Sequence, residues 1–183
     1  MRWDELFRDL EAQLAQAAAA ELAGEVADRT RREAAEVTLG DRLRAARGQA
    51  LRLTVRGAAP LAGTLREVGP DWLLVGQHDA REVLVANAAV IAVSGLPHLH
   101  TEEASQVRAR LGLGSALRGI ARDRAPVAVT TVDGSTVTGT FDRVGRDYVQ
   151  LAEHPVGEPR RPSQVSGVRV VPFAALATVA RPG

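Results

Sequence analysis

The chain has no cysteine, which excludes disulfides, thiolate metal sites and cysteine nucleophiles. Aromatic residues make up only 3% of its 183 residues. Trp3, Trp72, Tyr148 and three phenylalanines cannot supply the several stacking platforms that base-binding grooves depend on. Lysine is absent, so all 23 basic residues are arginine. Together with the abundant alanine this reads as the codon bias of a GC-rich, bacterial-type genome, and arginine preference alone carries no functional weight. A large charge of either sign is also lacking. The net charge of +1 confines any polyanion-binding surface to a local patch. The opening MRWDELFRDLEAQL is acidic and amphipathic, unlike a secretory leader, and no apolar run approaches bilayer length. A cytoplasmic protein without membrane association is expected.

What is present is an ordinary globular balance, 45% hydrophobic and 25% charged, enough for one domain or two small ones. Residues 3 to 35 contain no proline and place Trp3, Phe7, Leu10, Leu14 and Ala17 at alternating four- and three-residue steps, the spacing of a helix face. Asp4, Glu5, Asp9 and Glu11 at the start and Arg29, Arg31 and Arg32 near the end complement a helix dipole. At 1.5 Å per residue such a helix reaches roughly 50 Å, longer than a small barrel can cover. Trp3, Phe7, Leu10 and Leu14 are therefore expected to pair with the same helix of another chain in a homodimer, a lid across the chain's own strands being the alternative.

The rest of the sequence repeats itself. LGDRLRAARG from Leu39 matches LGSALRGIAR from Leu113, and LRLTV from Leu51 matches VAVTT from Val127. LAGTLREVGPDWLLV from Leu61 then aligns without a gap on VTGTFDRVGRDYVQL from Val137, and LVANAAVIAV from Leu84 on VVPFAALATV from Val170. Each unit reads as a short helix and about five strands with alternating apolar residues. Val68-Gly69 and Val144-Gly145 open tight turns, and Gly63 and Gly139 interrupt strand patterns where a missing side chain permits a sharp bend. The expected fold class is α+β: a helix over 1–37, a first small five-stranded antiparallel barrel over 38–97, a linker over 98–112 in which Thr101 reads as a helix N-cap, and a second barrel over 113–183. Closed or nearly closed barrels are expected, not one continuous sheet.

This pattern resembles the Sm-like fold of Sm, LSm and Hfq proteins, over roughly 38–96 and 112–181. The resemblance implies RNA binding, and assembly into rings by pairing of fourth and fifth strands between neighbours. Its RNA contacts, carried onto this chain, fall at Pro70, Asp71, Arg146 and Asp147 in one turn and at Ala86, Asn87, Pro172 and Phe173 in the other. The family's Asp-x-x-apolar-Asn pattern and Arg-Gly pair are missing, so the resemblance carries the fold further than the RNA site.

No catalytic set is found. His98 and His100 with Glu102 and Glu103 lie in the linker, and His78 and His154 occupy equivalent loops without a hydroxyl or carboxylate partner pattern. No metal and no cofactor are expected. The arginines expected to meet phosphate are Arg108, Arg110, Arg118, Arg122 and Arg124 around the second helix, with Arg146, Arg160 and Arg161, the last two in a Pro-rich loop over 152–167. A non-enzymatic binding protein follows, directed at RNA or DNA. The alternative is a protein-interaction scaffold that binds a peptide or partner through a barrel edge or that loop.

Overall fold

A computed structural model describes residues 2–78, 81–101, 105–155 and 165–181. The chain divides into two compact units, Met1–Thr38 and Leu39–Gly183. The first is one helix, α1 (Arg2–Glu36). Phe7, Leu10, Leu14, Leu22 and Val26 are exposed on it; the side chain of Trp3 lies outside what is described. The apolar positions drift around the axis along its 35 residues, so the helix as a whole has no single apolar face.

In the second unit α2 (Leu39–Ala45) precedes β1 (Ala50–Val55), β2 (Leu61–Val68), β3 (Trp72–Gly76), β4 (Glu82–Ala86) and β5 (Val90–Ser94). After α3 (Gln106–Arg110) the series recurs as α4 (Leu113–Arg122), β6 (Val127–Thr131), β7 (Thr136–Val144), β8 (Tyr148–Glu153), β9 (Gly167–Pro172) and β10 (Leu176–Ala180). The alternation read from the sequence is the burial pattern of β1, with Leu51, Leu53 and Val55 inside and Arg52 and Thr54 outside. The registers repeat as well. Leu51 stands opposite Gly63 as Val127 does opposite Gly139, and Trp72 opposite Ala86 as Tyr148 does opposite Pro172. A Cβ on Gly63 would collide with the carbonyl of Gly76, and one on Gly139 with that of Ala152. Both glycines let neighbouring strands approach where the sheet bends.

Two separate closed barrels do not form. The ten strands make one antiparallel, unclosed sheet in the order β5-β1-β2-β3-β4-β10-β6-β7-β8-β9. The reason lies in hydrogen-bond valence: β4 directs its free backbone row to β10, with Leu84 opposite Val179, instead of closing onto its own repeat. The cores interlock across this seam. Leu84 and Ala86 of the first repeat pack in the second core, while Ala177 of the second packs in the first.

The short helices pack on interior strands, α2 on β2 and α4 on β7, with few residues. Leu43 of α2 and Leu113 and Leu117 of α4 are buried, while Arg118 and Arg122 face outward. Gly48, with φ of 81°, ends the turn after α2, and its N–H donates to the carbonyl of Leu65. Arg124 holds the equivalent place after α4 with φ of 52°. In the linker the N–H of Thr101 donates to the carbonyl of Asp41, and its own carbonyl accepts from Arg44; the acidic turn that it is expected to cap, at Glu102 and Glu103, lies outside the described residues. Ser105 caps α3, its hydroxyl accepting from the N–H of Arg108.

Candidate functional site

Three regions of the second unit carry chemistry: the seam between the repeats, the two open edges of the sheet, and a groove in the first repeat.

At the seam, the β2–β3 turn of the first repeat meets the start of α4. The indole Nε1 of Trp72 donates to the carbonyl of Leu111 at 2.7 Å. The carboxylate of Asp71 accepts from the N–H of Leu113 at 2.7 Å. No side chain within α4 caps that helix, so Asp71 supplies the cap from another element. Beside it lies a groove of about 410 Å³, with Leu84, Ile120 and Val179 among its walls.

The open edges carry the counterparts of the seam residues. Leu84 is 4% exposed at the seam, and its equivalent on the edge strand β9, Val170, is 55% exposed. Ala177 is 0% exposed, and its equivalent on the edge strand β5, Ile91, is 61% exposed. Leu113 is 5% exposed, and Leu39, which begins α2, is 51% exposed. Asp147 and Tyr148 stand at the turn equivalent to Asp71 and Trp72, with Asp147 exposed.

The third region is an open groove of about 870 Å³ on the outer face of β1, β2 and β3. Arg52, Arg66 and Arg81 line it together with Gln77 and His78, and its floor is small: Ala50, Ala62, Gly63, Thr64 and Gly76. No aspartate or glutamate lines it among the described residues. In the second repeat the equivalents of Arg52, Arg66, Gln77 and Arg81 are Ala128, Asp142, Glu153 and Gly167. Glu153 there is paired with Arg169 at 2.8 Å, and Asp142 with Arg124 at 3.6 Å. His154 is buried, hydrogen-bonded to Thr140 at 2.8 Å and to the Pro155 carbonyl at 3.0 Å, while His78 is exposed in the groove.

The arginines singled out from the sequence lie elsewhere. Arg118 and Arg122 share the outer face of α4, Arg108 and Arg110 are exposed on α3, and Arg146 is exposed in the β7–β8 turn. Arg160 and Arg161 lie outside the described residues. The two turns that the resemblance pointed to are adjacent in each repeat, the N–H of Asn87 donating to the Asp71 carbonyl and that of Phe173 to the Asp147 carbonyl. In the first repeat, however, the Asp71 carboxylate is occupied by α4. His98 and His100 are exposed; Glu102 and Glu103 lie outside the described residues. Among the described residues no cluster of three metal-ligating side chains occurs, and no helix is long and apolar enough to cross a membrane.

Comparison of the chain with protein-family models, curated proteins and solved structures finds no match. The groove arginines escaped sequence reading because they are spread over residues 52 to 81 and meet only through antiparallel pairing. The signal that finds them is the charge difference between aligned repeats.

Proposed function

We propose that this is a non-enzymatic binding protein that associates through its open strand edges, with copies of itself as the first partner. The carrying observation is a set of matched positions: Leu84, Ala177 and Leu113, buried at the seam, have the exposed equivalents Val170 on β9, Ile91 on β5 and Leu39 on α2. The register that sets Leu84 opposite Val179 would set Val170 opposite Val93 of the next copy. Asp147 would then cap the α2 of that copy as Asp71 caps α4. Burying Val170, Ile91 and Leu39 would contribute on the order of 1.5 kcal/mol or more each. The repeated strand order and the pairing of a fourth strand with a fifth support reading each repeat as an Sm-like unit. A homodimer through Phe7, Leu10 and Leu14 of α1 is a second contact compatible with this one.

Sedimentation velocity tests the reading. The unmodified chain is expected to form species larger than a dimer that shrink when either Val170→Lys or Ile91→Lys is introduced. Monomers at high concentration, or assemblies indifferent to both substitutions, refute it.

A further inference from the structure

The groove of the first repeat points to a second activity, separate from edge association. We propose that it binds the phosphodiester backbone of a single-stranded nucleic acid, with Arg52, Arg66 and Arg81 each meeting a phosphate.

Four observations carry this. First, Arg52 on β1, Arg66 on β2 and Arg81 just before β4 line one open groove that no carboxylate enters among the described residues. None of the three forms an ion pair among the described residues, and the Arg81 side chain donates from Nε to the carbonyl of Arg181. Guanidinium groups in that condition bind phosphate oxygens by charge-assisted, often bidentate, hydrogen bonds. Second, the floor between the arginines carries small side chains, at Ala50, Ala62, Gly63, Thr64 and Gly76, and the Arg66 side chain lies across Gly76, where an added Cβ would come within 2.8 Å of its Nε. The strands there offer a sugar-phosphate chain a low surface with Arg66 lying along it.

Third, the duplicate supplies an internal control. At the equivalent places the second repeat has Ala128, Asp142, Glu153 and Gly167, and its two carboxylates are paired with Arg124 and Arg169. Among the described residues the unpaired arginine lining thus belongs to the first repeat, and it is not a by-product of the shared strand pattern. Fourth, the lining excludes other readings. Among the described residues no tryptophan, tyrosine or phenylalanine lines the groove and His78 is its one ring, so it lacks the row of stacking platforms that base readout uses and contact is chiefly to phosphate, independent of sequence. A lipid surface is disfavoured because no large exposed apolar side chain lines the groove to enter it.

Fluorescence anisotropy of the full chain with a labelled 20-nucleotide oligothymidine tests the proposal. Three phosphate contacts give a logarithmic salt slope of about −2 for a single strand, so affinity should fall about twentyfold between 50 and 200 mM salt. Arg52→Gln/Arg66→Gln/Arg81→Gln should weaken binding at 50 mM at least tenfold and flatten the salt dependence. Arg66→Asp/Gln77→Glu, which installs the charges of the second repeat, should do the same. Arg118→Gln/Arg122→Gln should change it less than twofold. All these side chains are on the surface, and circular dichroism melts verify that each variant folds. The proposal is overturned if no binding occurs at 50 mM salt, if the groove variants bind like the unmodified chain, or if poly-glutamate or anionic vesicles displace the oligonucleotide at equal charge concentration. Edge association is read separately, since the groove variants should leave sedimentation unchanged.

Discussion

Asp71 caps a helix to which it does not belong: its carboxylate accepts the N–H of Leu113 at 2.7 Å, tying the turn of one repeat to the first residue of α4 in the next. An N-terminal helix N–H without a partner is a lost hydrogen bond, and a negative charge there also meets the positive end of the helix dipole. Asp71→Ala should lower stability by about 1 kcal/mol in urea unfolding. Asp147→Ala, at an exposed turn, should leave monomer stability unchanged and weaken assembly in sedimentation.

Gly48 and Arg124 hold the same left-handed backbone in the two repeats, with φ of 81° and 52°. A side chain in that region costs roughly 1–2 kcal/mol, partly offset for glycine by its larger loss of entropy. Gly48→Ala should therefore destabilise by about 1 kcal/mol, whereas Arg124→Gly should stabilise by up to about 1 kcal/mol. The 3.6 Å pair of the exposed Arg124 with the half-buried Asp142 is lost in that variant and offsets part of the gain. Paired thermal melts of the two variants check the opposite signs.

His154 and Thr140 form a buried polar pair, 3% and 1% exposed, with 2.8 Å between the imidazole Nε2 and the hydroxyl. Thr140→Val keeps the shape and leaves the imidazole nitrogen without a partner, at a cost of about 1–3 kcal/mol. Replacing both, with Thr140→Val and His154→Phe, should cost less than the sum of the single changes. A double-mutant cycle in urea gives the coupling directly.

The exposed Phe7 and Leu10 on α1 lead to a separate expectation. Phe7→Glu/Leu10→Glu should remove the helix-mediated contact between copies and reduce assembly size in sedimentation, with the melting temperature of the strand unit unchanged. A fall in melting temperature without a change in assembly would identify the helix as a lid.

The repeat was legible because its signals are local: alternation in LRLTV, the Gly63 and Gly139 positions, and the turns at Gly69 and Gly145 all concern side chains within a few residues of one another. The seam was not. Which strand β4 pairs with is decided by a backbone row that any sequence possesses, and Leu84 reads as an ordinary strand residue whether it faces α4 or solvent. Cationic surfaces divide in the same way. Arginine density from Arg108 to Arg124 is visible along the chain, whereas Arg52, Arg66 and Arg81 gather only in space, across neighbouring strands. The tie of Thr101 to α2 has the same character, since its bonds to Asp41 and Arg44 span about sixty residues of sequence that carry no local trace of them.

The exchange of side chains between the cores has a consequence for how the duplicated halves can exist apart. Leu84 and Ala86 complete the second core, and Ala177 completes the first. Severing the chain after Ser94 would strip each fragment of part of its interior and bare a row of backbone donors and acceptors on each. The duplicated strands should therefore melt in a single cooperative step, with neither half folding alone.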